Sequence, residues 1–172
     1  DDDFATIVAA VEEGRVIYDN LRRLVSFAVA GNFGKIIVML GWPIPFLIVG
    51  SETTAIAFLP LQRLWLNLMT DGLLGLSRGV EPAEQSVMER PPHSPSDGLW
   101  ANGLGTRTVW IGMVIGAVTL GLGFAYYAAD LEQWQTVMFT TLAFMQVGQA
   151  FATRSSTESL RTIGWRTNPL ML

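Results

Sequence analysis

The sequence predicts an all-α membrane protein, a polytopic helix bundle with four spans and a cytoplasmic stalk helix. Half of the 172 residues are hydrophobic and only 15% are charged, whereas soluble domains carry about 25% charged residues. No charged residue occurs in 108–129 or in 133–153. A helix needs roughly 20 apolar residues to cross a bilayer, so each of these runs is long enough to form one span.

Composition also excludes several classes of protein. The chain contains no cysteine, which excludes a disulfide scaffold. Its net charge of −4 argues against a nucleic-acid partner, and its high apolar content argues against a disordered chain. The partner that the composition favours is the lipid bilayer.

The first predicted element is the stalk helix over 1–23, which leads into the first span at about 24–42. Apolar residues recur at steps of three, four or seven from Phe4 to Val25, the spacing of an amphipathic helix. Gly14 is a candidate interruption of this helix.

Three more predicted spans follow the first. Trp42 and Pro43 end the first span, and Trp42 suits the aromatic belt at a membrane interface. A polar, proline-rich loop at 77–107 precedes the third span, and a short acidic turn at 130–132 precedes the fourth. The predicted spans cover about 24–42, 57–76, 108–129 and 134–153.

The distribution of basic residues predicts the orientation of the bundle. All but two of the 11 Lys and Arg residues fall on one side of a four-span path, and the exceptions are Lys35 and Arg63. The positive-inside rule places that side in the cytoplasm. We therefore expect a multi-pass integral membrane protein of the plasma membrane, with both ends and the 77–107 loop in the cytoplasm.

The first two spans contain polar residues near mid-membrane. Asn32 and Lys35 share one face of the first span, while Asn67, Thr70 and Asp71 share one face of the second. An ionised side chain at this depth costs about 2.5–3.5 kcal/mol on insertion scales. Opposite charges on neighbouring helices therefore suggest an ion pair, and the oxygen atoms around it suit a hard cation.

Each of these residues also has a simpler interpretation. Lys35 lies near enough to the end of its span to snorkel toward water. Asn32 and Asn67 can each serve as a hydrogen-bonding contact between helices. Asp71 beside Gly72 can cap a helix break, which at membrane depth is tolerated only in a buried or watery site.

The last two spans carry weaker signals. Gly112 and Gly116 form a Gly-x-x-x-Gly pattern, which is typical of close helix packing. Gln146 is polar at mid-depth, and helix packing and distal ligation of a cation explain it equally well.

A resemblance to a known family depends on four stretches of the sequence, which are 2–15, 32–34, 64–72 and 88–92. The third reads Trp-x-Asn-x-x-Thr-Asp-Gly, which is a highly specific motif. Together they resemble the C-terminal membrane part of type II P-type cation-transporting ATPases, the group of the calcium pumps. The resemblance implies that the chain forms the fifth to eighth membrane helices of that family and stops before the ninth.

The resemblance implies roles for individual residues. By position, Asn67, Thr70 and Asp71 match the sixth-helix ligands of the transported cation. Asn32 matches a ligand on the fifth helix. The implied cargo is a cation, with calcium favoured.

Two departures from the family pattern change the charge of this site. Lys35 stands where the calcium pumps have Glu, and Gln146 aligns with the acidic residue of the eighth helix. Together the changes remove two negative charges and add a positive one, which disfavours a site for two ions. We therefore expect one cation near Asp71, with Lys35 as a built-in counter-ion and Gln146 as a possible distal ligand.

The ATP-hydrolysing motifs of the family do not occur in this sequence. Neither Asp-Lys-Thr-Gly-Thr nor Gly-Asp-Gly-x-Asn-Asp is present, so we do not expect this polypeptide alone to hydrolyse ATP. The resemblance assigns 1–23 to the phosphorylation-domain connection and stalk, and 24–172 to the C-terminal transmembrane domain. ATP, magnesium, the phosphorylation, nucleotide-binding and actuator domains, and helices one to four would belong to the rest of the pump.

Two other functions are compatible with the same polar cluster. A passive channel or secondary transporter would conduct ions through it, and a structural membrane module would use it only to hold helices together. The stalk-like stretch 1–15 favours the pump, because a channel needs no such helix.

Overall fold

The computed structural model describes residues 4–49, 56–84, 87–92, 98, 100, 103–154, 164 and 167–168. Every regular element within these residues is helical, as the sequence predicts. In chain order the elements are α1 (Phe4–Gly41), α2 (Ile44–Val49), α3 (Pro60–Leu66), a π-helical segment (Asn67–Leu74), α4 (Gly75–Gly79), α5 (Leu104–Ala128) and α6 (Trp134–Ala152).

The predicted stalk and first span form one continuous helix, α1, of 38 residues. Gly14 does not interrupt it, contrary to one expectation, because a single glycine weakens a helix by only about 1 kcal/mol. The helix ends at Gly41, where the Trp42 N–H donates to Val38 O at 3.0 Å. Pro43 then disfavours a helical conformation of the residue before it.

The second predicted span is helical from residue 60 to residue 79, three residues later than the predicted 57–76. Pro60 occupies the first position of α3, where its missing N–H costs nothing. The Leu59 N–H donates to Gln62 Oε1 at 2.9 Å. The alternative of a helix break at Gly72 is wrong, because the helix continues through Gly72 with π-type hydrogen bonds. π-helical segments are rare in proteins, and those that occur are often found at functional sites.

The last two helices, α5 and α6, form an antiparallel hairpin. α5 begins four residues before the predicted 108, after Gly103, whose φ of 78° costs glycine little. The turn between the helices contains Asp130 at φ 56°, a backbone conformation for which Asp is enriched. α6 begins at Trp134, as predicted.

The Gly-x-x-x-Gly pattern of α5 brings that helix against α1, which confirms the predicted close packing. A Cβ on Gly112 would lie 2.8 Å from Ala30 O, and a Cβ on Gly116 would lie 2.6 Å from Ile37 Cγ2. Only glycine permits this approach, and the result fixes α1 beside α5 at the level of Asn32 and Lys35.

Trp42 packs inside the bundle, whereas the sequence suggested an interfacial residue. It is 1% exposed, because rings from α5 and α6 cover both of its faces. The main apolar core surrounds it and consists of Val38, Trp42, Phe46, Ala57, Phe58, Leu66, Ile115, Met138 and Leu142.

Two stretches of the described residues are long and apolar enough to cross a bilayer, Phe4–Ile48 and Leu104–Ala128. They correspond to the first and third predicted spans. The count of four spans stays a prediction.

Candidate cation site

The structure brings the polar residues of α1 and the π-helical segment together. Lys35 Nζ donates to Asp71 Oδ1 at 2.8 Å, to Asp71 Oδ2 at 2.7 Å and to Asn67 Oδ1 at 3.1 Å. An ammonium group has three N–H donors, so these contacts match its full capacity. The side chains of Lys35 and Asp71 are only 13% and 23% exposed. Lys35 therefore forms the suggested ion pair and does not snorkel.

Thr70 lies beside this pair and is buried. Its hydroxyl donates to Leu66 O, one turn earlier in the chain. Its oxygen lies 3.4 Å from Asp71 Oδ1. The hydroxyl oxygen of Thr70 therefore lies next to the carboxylate of the ion pair.

Asn32 lies one turn before Lys35 on α1 and is exposed. It lines a cavity of about 370 Å³ together with Lys35, Asn67 and Arg63. Asn32 and the Lys35–Asn67 contact therefore border the same space. The remaining walls are apolar and consist of Ile36, Met39, Leu40, Phe58, Leu66 and Leu142.

Gln146 of α6 lies near the same ion pair and is fully buried. A Cβ on Gly31 would lie 2.8 Å from Gln146 Nε2 and 3.9 Å from Asp71 Oδ1. Neither polar atom of the Gln146 amide has a hydrogen-bond partner among the described residues. A buried unpaired amide costs about 1–3 kcal/mol, and both explanations of Gln146, helix packing and distal ligation, stay predictions.

The charge of the cluster is balanced within itself. The described residues contain no group of three or more His, Cys, Asp and Glu side chains that could hold a metal ion. One carboxylate, Asp71, is neutralised by one ammonium, Lys35. Both oxygens of this carboxylate accept a hydrogen bond from the ammonium.

A second polar cluster at the C-terminal ends of α4 and α6 has no counterpart in the sequence-based prediction. Arg154 pairs with Glu81 at 2.5 Å, and Asn168 Nδ2 donates to Glu81 Oε2 at 2.9 Å. Arg78 donates to Ala150 O at 3.1 Å and so joins α4 to the end of α6. The only signal in the sequence was that Arg78 and Arg154 each follow the end of a predicted span.

Comparison with known proteins identifies relatives over most of the chain. Residues 55–172 match the family model described as cation transporting ATPase, C-terminus. The chain is 37% identical over 165 residues to a calcium-transporting ATPase of Bacillus subtilis (strain 168), covering 91% of this chain and 17% of that protein.

Two further relatives match the whole chain. Calcium-transporting ATPase 1 of Lactococcus lactis subsp. lactis (strain IL1403) is 34% identical over 177 residues, which cover 19% of its length. Calcium-transporting ATPase 1 of Bacillus cereus (strain ATCC 10987 / NRS 248) is 33% identical over 195 residues, which cover 20% of its length. The chain thus spans a fifth or less of these relatives. It belongs to the P-type cation-transporting ATPases and forms the C-terminal membrane region of that family.

Proposed function

We propose that this chain is the cation-translocating membrane part of an ATP-driven pump with one cation site, in which Lys35 is a built-in counter-ion. The observation that carries the proposal is the contact of Lys35 Nζ with both carboxylate oxygens of Asp71, at 2.8 and 2.7 Å. The ammonium thus occupies the position that a cation would need in order to bind this carboxylate.

The cation seat consists of oxygen atoms from Asn32, Asn67, Thr70 and Asp71. Carboxylate, amide and hydroxyl oxygens are the ligands that hard cations prefer. Gln146 is the distal ligand of this proposal, because its buried amide has no hydrogen-bond partner among the described residues. By resemblance to the family, an acidic residue on the fourth helix of the pump completes the seat.

Electrostatics explains how the seat alternates between two occupants. Unit charges of opposite sign at 4 Å attract by about 4 kcal/mol at an effective dielectric constant of 20, before desolvation. A divalent cation has twice the charge of the ammonium, so it competes with Lys35 for Asp71. When the cation leaves, Lys35 returns, and the empty carboxylate needs no proton.

Calcium is the cation that we favour for this seat. The three relatives are named as calcium-transporting ATPases. The lysine makes the site less negative than a calcium-pump site with Glu at this position. Manganese, sodium and protons are therefore the competing cargoes that a transport assay must compare.

ATP hydrolysis in this proposal belongs to the full-length pump. Its phosphorylation, nucleotide-binding and actuator domains bind ATP and magnesium, and helices one to four complete the membrane domain. Both ends of the present chain face the cytoplasm, and the membrane is the plasma membrane. α1 has 38 residues and is about 57 Å long at 1.5 Å per residue, which is sufficient to transmit movement from a cytoplasmic domain to Lys35.

ATP-dependent uptake into sealed vesicles containing the full-length pump tests this function. We expect uptake of calcium that requires ATP and magnesium, together with a cation-dependent phosphoenzyme. Manganese and sodium are tested in parallel, and the pH change inside the vesicles reports protons. Ion flux that proceeds equally without ATP would instead support the passive channel or secondary transporter, and would contradict the pump.

A further inference from the structure

Arg63 is a basic residue of the second predicted span that the ion pair does not explain. It is one of the two exceptions to the positive-inside distribution, and the other, Lys35, contacts Asp71. Arg63 belongs to α3 and is exposed, and within the part of the chain that the structure describes its side chain has no ion pair or hydrogen bond. An unpaired charge within a span has a free-energy cost, so its presence points to a function.

Arg63 lines the same cavity as Lys35 and Asn67. Residues four apart are neighbours on the surface of a helix, so Arg63 lies one turn before Asn67 on the same face. Asp71 follows one turn after Asn67. At 1.5 Å per residue, Arg63 is thus about 12 Å from Asp71 along the helix. A cation that leaves Asp71 through this cavity, toward the beginning of α3, passes Arg63.

The charge of the cavity lining does not suit the capture of a cation. Among the described residues that line the cavity, Lys35 and Arg63 are positive and none is negative. Pores that admit cations are lined by Asp and Glu, whereas Arg and Lys line pores for anions. The apolar walls lower the local dielectric constant and so strengthen the repulsion of a cation. A cation that enters this cavity from the side of Arg63 is therefore opposed by charge.

We infer that Arg63 opposes the return of a released cation to Asp71, and so makes this cavity an exit and not an entrance. The inference rests on the proposed pump function. In the proposed orientation both ends of the chain face the cytoplasm, so α3 begins on the outer side of the membrane. Arg63 then lies between the cation seat and the outer side. Lys35 occupies the empty carboxylate, and Arg63 lowers the concentration of cations beside it.

Uptake into vesicles that already contain calcium tests this role. Sealed vesicles with the full-length pump are preloaded with several concentrations of unlabelled calcium, and the initial rate of ATP-dependent uptake of radioactive calcium is measured. Arg63→Gln removes the charge, and Arg63→Lys keeps it. Arg107→Gln is the matched control, because Arg107 is an exposed arginine of α5 outside the cavity lining.

We expect Arg63→Gln to lower the internal calcium concentration that halves uptake at least tenfold, because a released cation then rebinds more readily. The external calcium concentration that gives half-maximal uptake should change less than twofold, since Arg63 does not lie on the cytoplasmic side of the seat. Arg63→Lys and Arg107→Gln should match the unsubstituted pump within twofold in both quantities.

Three outcomes would overturn the role of Arg63. They are unchanged inhibition of Arg63→Gln by internal calcium, an equal shift of the internal and external concentrations, and an inactive Arg63→Gln variant, because the role requires a pump that still transports. Absence of ATP-dependent uptake by the unsubstituted pump would instead contradict the proposed pump function, and the inference with it.

Discussion

Replacing Asp71 with Asn is expected to lower the apparent cation affinity of the full-length pump by at least about 100-fold. The substitution removes the carboxylate charge, and a divalent cation at 4 Å then loses about 8 kcal/mol of attraction at an effective dielectric constant of 20, before desolvation. It also leaves the Lys35 ammonium, which is 13% exposed, without its anion. A hundredfold change corresponds to only about 2.7 kcal/mol, well below the lost attraction.

The cation dependence of phosphorylation by ATP measures this affinity. Asp130→Asn is the matched control, because Asp130 is an exposed residue of the α5–α6 turn, and we expect its effect to be less than twofold. Thermal unfolding of both variants in detergent checks that each is folded. Unchanged cation affinity in Asp71→Asn would support the structural membrane module, in which the polar cluster only holds helices together.

Replacing Lys35 with Met is expected to raise the apparent cation affinity of the full-length pump at least about tenfold, a gain of about 1.4 kcal/mol. In the unsubstituted pump the Lys35 ammonium contacts both carboxylate oxygens of Asp71, so a cation has to compete with it. Methionine carries no charge, and the cation then binds the carboxylate without that competitor.

Lys35→Arg is the control that separates charge from side-chain shape, because arginine keeps a positive charge at this position. We expect its cation affinity to stay close to that of the unsubstituted pump. Equilibrium binding of radioactive calcium gives all three affinities. An unchanged cation affinity in Lys35→Met would show that the ammonium does not compete with the cation for Asp71.

The sequence predicts the helices and the ion pair because a membrane leaves few alternatives. An unpaired lysine or aspartate at mid-membrane has a high free-energy cost, so Lys35 and Asp71 were predicted to form an ion pair with each other. The Gly112 and Gly116 pattern likewise has a simple meaning, since small residues let two helices approach. These predictions depend on the spacing of residues within one helix and on a lipid environment. The sequence shows the first directly and indicates the second by its long apolar runs.

Other features depend on contacts that spacing alone does not encode. The π-helical hydrogen bonding of Asn67–Leu74 has no residue signature, and an ordinary helix fits the same sequence. Trp42 is of a residue type that is common at membrane interfaces, but in the fold Phe124 and Trp134 cover its ring. Both lie more than 80 positions away in the sequence, so local spacing could not predict this contact.

The sequence did not predict the second polar cluster, the one at the C-terminal ends of α4 and α6, for a related reason. Glu81 and Arg154 are charged residues in regions expected to face water, where charges need no partner. The fold nevertheless buries both and pairs them across 73 positions of sequence. Isolated charges near the ends of spans can therefore be structural, and only tertiary packing distinguishes them from solvated ones.

The central claim is that the Lys35 ammonium leaves room for one bound cation and not two. The number of cations bound per phosphorylation site tests this claim most directly. Equilibrium binding of radioactive calcium to the purified full-length pump provides that number, and Lys35→Glu provides the comparison. We expect one cation per site in the unsubstituted pump and a second, weaker one in Lys35→Glu, where a carboxylate replaces the counter-ion. Two cations per site in the unsubstituted pump would contradict the account.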